Sequence, residues 1–362
     1  MIRVRRRRRN WTGPVIIVLI AIAVLSPLAL RALGQSGIPT AENAPAQPNQ
    51  IALAAAPTRG TVLFPPTATP TALSTATPTH TPTVTPTPTP LGPTKTGDAA
   101  VPSLGSQAVV MMDADSGAIL YQYNPHTRRE PASVTKIMTA IIAIERGNLK
   151  QRIKADYDPT PLTEQDSSMM WINPGETVTL EDLLYGLLLP SGNDAAVLIA
   201  KDIAGSEEAF VALMNQKAQE LGMHDTHYIN PHGLHANGHY TTAYDLAILA
   251  RYAMRNPTFR EIVKAKSWDV HADDRTWTVY NLNKLLFEYP DADGIKIGYN
   301  DQAGKTIVGS VDHGGHDVFV VLLGSWDLWA DSEALYDWAF ANYTWPASGY
   351  EATPSPTPTP SP

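Results

Sequence analysis

From Ala108 the chain reads AVVMMD and, after a polar break, AILYQY, two apolar runs of strand length around a turn at Ala114–Gly117. From Ser133 to about Lys264 the spacing is mostly helical. Val134, Ile137, Met138, Ile141 and Ile144 recur every three or four positions, and Gly147 suits a helix end. The apolar stretch LLYGLLLPSGNDAAVLIA, residues 183–200, carries Pro190, Asn193 and Asp194 at its middle, which hydrocarbon would penalise. It reads as one core helix ending and another beginning. The run DGIKIGYNDQAGKTIVGSVDHGGHDVFVVLLGS then alternates strand patterns with DQAG and DHGG turns, and an amphipathic helix, ADSEALYDWAFANY, follows. Strands that open and close a domain with helices between them predict an α+β fold, an antiparallel sheet flanked by helices with a mostly helical part.

The two ends of the chain have other patterns. Residues 1–9 are basic, and the stretch from Asn10 to Leu30 is apolar and uncharged, about long enough to cross a bilayer. Residues 10–33 are therefore expected to be a transmembrane anchor, with the arginines holding the N-terminus in the cytoplasm and the rest of the chain outside. No A-x-A site follows Leu30 closely, so an uncleaved anchor is favoured over a signal peptide. Residues 34–103 are rich in Pro, Thr and Ala. They read as a disordered linker, in part extended as polyproline II, and residues 347–362 repeat that composition. Between them lies a folded domain expected over 104–346.

Composition narrows the chemistry. The 362 residues include no cysteine, which excludes disulfides, thiol nucleophiles and thiolate metal sites. Seven of the 27 basic residues precede the first acidic one, Glu42, so the remaining 20 face 35 acidic residues. The folded part is acidic and a poor match for nucleic acid.

Three short segments could carry chemistry. In PASVTKIMTA, Ser133 and Lys136 lie one turn apart where a helix begins. Unpaired N–H groups there favour negative charge, and an amine kept neutral by burial or by another cation can take a hydroxyl proton. The same spacing also fits a capping serine beside a surface lysine. In PSGND, Ser191 and Asn193 are polar groups in an apolar stretch. In DGIKIG, Lys296 supplies a second cation, and Gly298 allows a substrate backbone close to the strand. Two metal readings fail on sequence grounds. The D-x-D-x-G spacing at Asp113 would need a carboxylate where Asn124 stands. His232, His235 and His239 lie in a Pro-, Asn- and Gly-rich loop poorly suited to fix zinc ligands.

The order S-x-x-K, S-x-N, K-x-G resembles that of the penicillin-recognising serine enzymes. Over about residues 105–342, with PASVTKIMTA, LLLPSGNDAA, INPHGL before HYTTAYDLA, and DGIKIGY, the chain resembles the low-molecular-mass penicillin-binding proteins that act as D-Ala-D-Ala carboxypeptidases. That resemblance implies a β-lactamase/transpeptidase-like fold and no cofactor or metal. Its implied partners are peptidoglycan stem peptides as substrate and β-lactams as covalent inhibitors. It implies Ser133 as nucleophile, Lys136 as general base, Ser191 as proton relay, Asn193 as a substrate-amide contact and Lys296 as carboxylate-binding cation. It also implies that the Ser133 N–H is one oxyanion donor. Ile297 departs from the pattern, which has Thr or Ser there to help hold the substrate carboxylate. An inactive peptide-binding relative is the alternative that this departure raises. A literal Lys95-Thr96-Gly97 lies in the linker and is read as chance, and no E-x-x-L-N motif follows Asn193 as a class A β-lactamase would require.

Overall fold

The computed structural model describes residues 92–346 apart from Asp166. The basic segment, the 10–33 anchor, most of the linker and the 347–362 tail lie outside the described residues. Among the described residues, no helix is long and apolar enough to cross a membrane.

The chain begins with β1 (Thr94–Lys95), β2 (Ala108–Asp113) and β3 (Ile119–Tyr123). A 3-10 turn (Ala132–Thr135) leads into α1 (Lys136–Arg146). The helical part follows, with β4 (Arg152–Lys154), α2 (Thr160–Thr163), β5 (Thr177–Thr179), α3 (Leu180–Leu188), α4 (Asn193–Ala204), α5 (Glu207–Glu220), α6 (Ala243–Ala253) and α7 (Pro257–Lys264). A hairpin of β6 (Ser267–His271) and β7 (Thr276–Tyr280) and the short α8 (Leu285–Glu288) return the chain to the sheet. There β8 (Ala292–Asn300), β9 (Gly304–His313), β10 (His316–Ser325), α9 (Leu328–Asn342) and β11 (Tyr343–Thr344) complete the domain.

The central sheet has five antiparallel strands in the order β3-β2-β10-β9-β8. Both of its faces are covered, which is why β2 and β10 read as unbroken apolar runs. Ala108, Val110 and Met112 of β2, with Phe319, Val321 and Leu323 of β10, face the helical part. Val109 and Met111, with Val318, Val320 and Leu322, face α9. The period of two along each strand sorts the residues between the layers. Helix α1 is the axis of the helical layer, with every residue from Lys136 to Ala143 buried.

Helix starts follow the capping rules. Thr179 and Asp182 form a reciprocal capping box on α3, and Ser206, Thr242, Asn256 and Asp327 cap α5, α6, α7 and α9. Asp182 also accepts the Trp268 indole N–H at 2.9 Å, and Tyr185 stacks on Trp268 with ring centres 3.8 Å apart. The β6–β7 hairpin is thereby clamped to α3.

One boundary differs from the compositional reading. Residues 92–103, assigned to the linker, pack on the domain. Thr94 and Lys95 pair with Thr344 and Tyr343, Ala99 N–H donates to Asn342 at 2.9 Å, and Val101 packs beside α9. Proline and threonine set the local extended shape, but Val101 and Leu104 bring apolar area that the α9 layer buries. The Lys95-Thr96-Gly97 triplet is part of this edge.

Candidate active site

The site is built where α1, the start of α4 and the edge strand β8 meet. Ser133 lies in the 3-10 turn before α1 and does not cap the helix with its side chain. Its hydroxyl accepts from Lys136 Nζ at 3.1 Å. The same nitrogen donates to Asn193 Oδ1 at 2.6 Å and to the His232 carbonyl at 2.6 Å. Lys136 is wholly buried, and its pKa is held well below the ordinary lysine value, first by burial and then by the charge of Lys296, with Asp194 opposing. An amine whose charged form is disfavoured therefore touches the serine hydroxyl.

Lys296 is 2% exposed, and burial lowers its pKa to about 7. Its Nζ donates to the carbonyl of Ile297 at 3.1 Å. On the same face of β8, Gly298 passes the start of α1 so closely that a Cβ there would lie 2.7 Å from both the Ser133 nitrogen and Thr306 Oγ1. Glycine is required for that approach. Thr306 in turn donates to the Pro131 carbonyl at 3.1 Å, tying β9 to the turn that carries Ser133. As the outer strand of the sheet, β8 leaves one row of its backbone groups without a strand partner, a template for an extended peptide.

Ser191 is nearly buried and has a left-handed backbone, φ 67°. That conformation is costly for a non-glycine residue and is held here by its surroundings. Asp194, one residue after Asn193, is fully buried. Its carboxylate accepts the backbone N–H groups of Met170 (2.9 Å), Trp171 (2.9 Å), Ile172 (3.3 Å) and Ala195 (3.0 Å). Burial raises its pKa, while these four donors pull it down. The 168–172 loop is thus pinned to the first turn of α4, and Asn193 N–H donates to the Ser168 carbonyl at 2.8 Å. From the other side, the hairpin holds the loop. Trp277 Nε1 donates to Met170 O at 2.8 Å and Arg275 to Trp171 O at 2.7 Å.

Sequence reasoning placed Ser133, Lys136, Ser191, Asn193, Lys296 and Gly298 as site candidates. Lys136 touches Ser133 and Asn193, and Ser133, Ser191, Asn193 and Gly298 line one cleft of about 860 Å³, with Lys296 buried beside Gly298 in β8. It missed the His232 carbonyl, Asp194 as loop anchor and Thr306. His232, His235 and His239 do not converge. The His232 carbonyl faces Lys136, His235 contacts Glu130 at 2.6 Å, and His239 Nε2 contacts Thr135 Oγ1 at 2.9 Å. Burial lowers the pKa of His232 to about 3 and that of His239 to about 4, so both rings are neutral. Gly233, with φ 89°, lets this loop lie against Ala132, where a Cβ would sit 2.0 Å from the carbonyl oxygen. At the other candidate motif, Asp113 accepts the backbone N–H of Ser116 at 2.8 Å and closes the β2–β3 turn.

A buried amine on a serine at the start of a central helix, faced by a second lysine on an edge strand, is the arrangement of a serine acyl-transfer site. The sequence model of the D-alanyl-D-alanine carboxypeptidase family, peptidase family S11, matches residues 95–326, and the chain belongs to that family. It is 34% identical to the D-alanyl-D-alanine carboxypeptidase DacF of Bacillus subtilis over 66% of this chain and 63% of that protein. It is also 34% identical to DacB2 of Mycobacterium tuberculosis, over 68% of this chain and 86% of that one. The fold is similar to the crystal structure of the Streptomyces K15 DD-transpeptidase, with a TM-score of 0.65 and 31% identity over 67% of this chain and all of that one. The match thus spans less than two thirds of the Bacillus relative.

Proposed function

We propose that this chain is a membrane-anchored serine peptidase that removes the terminal D-alanine from peptidoglycan stem peptides. The observation that carries the reading is the contact between the buried Lys136 amine and the Ser133 hydroxyl, beside Lys296. Ser133 Oγ attacks the carbonyl of the scissile amide while Lys136 takes its proton, and a tetrahedral oxyanion forms against the Ser133 N–H at the helix start. The C–N bond breaks as the proton passes to the leaving nitrogen, with Ser191 as the relay. Water then adds to the acyl-serine, and its proton returns through Lys136 to the serine. Asn193 shares Lys136 and faces the cleft, where it can hold the substrate amide. Burial holds the Lys136 pKa down, and positive charge on Lys296 lowers it further.

The N-terminal apolar run and its arginines support an anchor with the domain outside the cell membrane, and the acidic folded part accords with no nucleic-acid role. A β-lactam, as a strained acyl donor, fits the same nucleophile and would stay as an ester where deacylation is slow. A binding-only role is favoured by Ile297 alone and opposed by the intact hydrogen bonds around Lys136.

The test is D-alanine release from diacetyl-Lys-D-Ala-D-Ala by the full chain. Ser133-dependent release supports the reading. Release that survives Ser133→Ala, or no release with any D-alanyl peptide, refutes it.

A further inference from the structure

Among the described residues Lys136 Nζ meets three oxygens: Ser133 Oγ at 3.1 Å, Asn193 Oδ1 at 2.6 Å and the His232 carbonyl at 2.6 Å. The last two are carbonyl oxygens, which only accept. A neutral amine has two N–H groups and one lone pair. With both N–H groups given to those oxygens, the lone pair is left facing the Ser133 hydroxyl, whose proton it takes. Asn193 sets one of the two directions from the first turn of α4. The other is set by a backbone carbonyl in a loop, and such a carbonyl keeps its direction only where the loop is held.

The side chain of Asn230 holds this one. Its Oδ1 accepts the N–H groups of His232 at 3.3 Å and Gly233 at 2.7 Å, and its Nδ2 donates to the Leu234 carbonyl at 2.9 Å. One amide thus closes a turn around the His232 carbonyl. From α1, one turn past Lys136, Thr139 Oγ1 donates to the Pro231 carbonyl at 2.6 Å. The loop lies against Ala132, beside Ser133, through Gly233. Asn230 is not among the residues that line the cleft, and its three bonds go to the loop and not to Lys136 or Ser133.

Resting on the reading above of Ser133 as the acylated nucleophile and Lys136 as its base, we propose that Asn230 is a positioning residue for the reaction. It fixes the His232 carbonyl as the second N–H acceptor of Lys136 and so aims the lone pair of that amine at the Ser133 hydroxyl. Thr139 supports the same carbonyl through Pro231. Both act only through Lys136, and neither touches the acyl donor.

The test is a double-mutant cycle on the full chain, reading Ser133 acylation by benzylpenicillin across drug concentration. Asn230→Ala is expected to lower the saturating acylation rate by about ten- to a hundredfold, the scale on which a misplaced reacting group costs, and to leave the half-saturating concentration within about threefold. In the Lys136→Ala background the same substitution is expected to slow acylation by less than about threefold further, because the group it aims is gone. A role in the fold alone would multiply the two losses. Thr139→Val, which keeps the shape of the side chain, runs the same cycle with a smaller loss and does not depend on Asn230→Ala folding. Equal slowing with and without Lys136, a loss carried by the half-saturating concentration, or an undiminished rate in these variants overturns the proposal. If the unaltered chain is acylated on Ser133 and the cycle is additive, the inference alone falls. If Ser133 is not acylated, the catalytic reading falls with it.

Discussion

Replacing Lys296 by methionine should stabilise the fold while it disables the site. Lys296 is 2% exposed, and its pKa falls from 10.5 to about 7 because burial opposes its charge. A lysine whose folded pKa lies below its unfolded one destabilises the protein. The cost is fully present below the folded value and disappears as pH rises toward the unfolded value. At about 1.36 kcal/mol per pKa unit, linkage puts that cost at roughly 4 kcal/mol at pH 7 and about 2 kcal/mol at pH 9. Methionine keeps the stem and removes the charge. Urea unfolding of both proteins at pH 7 and pH 9 reads the difference directly. The expected result is a gain of about 2–4 kcal/mol at pH 7 that shrinks by roughly half at pH 9, accompanied by loss of peptidase activity. A destabilised variant, or a gain that does not change with pH, would refute the reasoning.

Other outcomes follow from the same geometry. The kcat/KM–pH profile for diacetyl-Lys-D-Ala-D-Ala should fall above about pH 7 as Lys296 loses its proton; a flat profile from pH 6 to 9 contradicts its role as a cation. Asp194→Asn leaves buried N–H groups of the 168–172 loop without an acceptor, at a cost of about 2–5 kcal/mol, which should appear as a lower urea midpoint and faster proteolysis near the exposed Trp171. Gly298→Ala forces β8 away from the Ser133 nitrogen, and Ser133 acylation should slow by about tenfold or more, with a lower unfolding midpoint from the overpacking.

Much of this arrangement was legible in the amino-acid order. The β2–β3 and β8–β10 strands announce themselves because alternate side chains serve two buried layers, so the apolar runs are long and bounded by glycine turns. Lys136 stood out because an amine inside an apolar helix is costly unless something uses it. The β6–β7 hairpin escaped notice. In each of its five-residue strands only one position is buried, Val270 or Val279, which is too little contrast to read. The His232 carbonyl also left no trace, since every residue type carries a backbone acceptor and only the fold aims this one at Lys136. Asp194 looked like an interruption of an apolar run. Its partners are backbone N–H groups 22–24 residues earlier, which no local pattern connects to it. The linker boundary misled because proline and threonine mark extended chain without saying whether that chain packs on the domain.

The most direct test is to map the covalent adduct left by benzylpenicillin. The full chain is incubated with the drug, digested and analysed by mass spectrometry, alongside Lys136→Ala. The account predicts a single penicilloyl group on the peptide that carries Ser133, forming at least about a hundredfold more slowly without the lysine amine. An adduct on another residue, or an undiminished rate in Lys136→Ala, would contradict it.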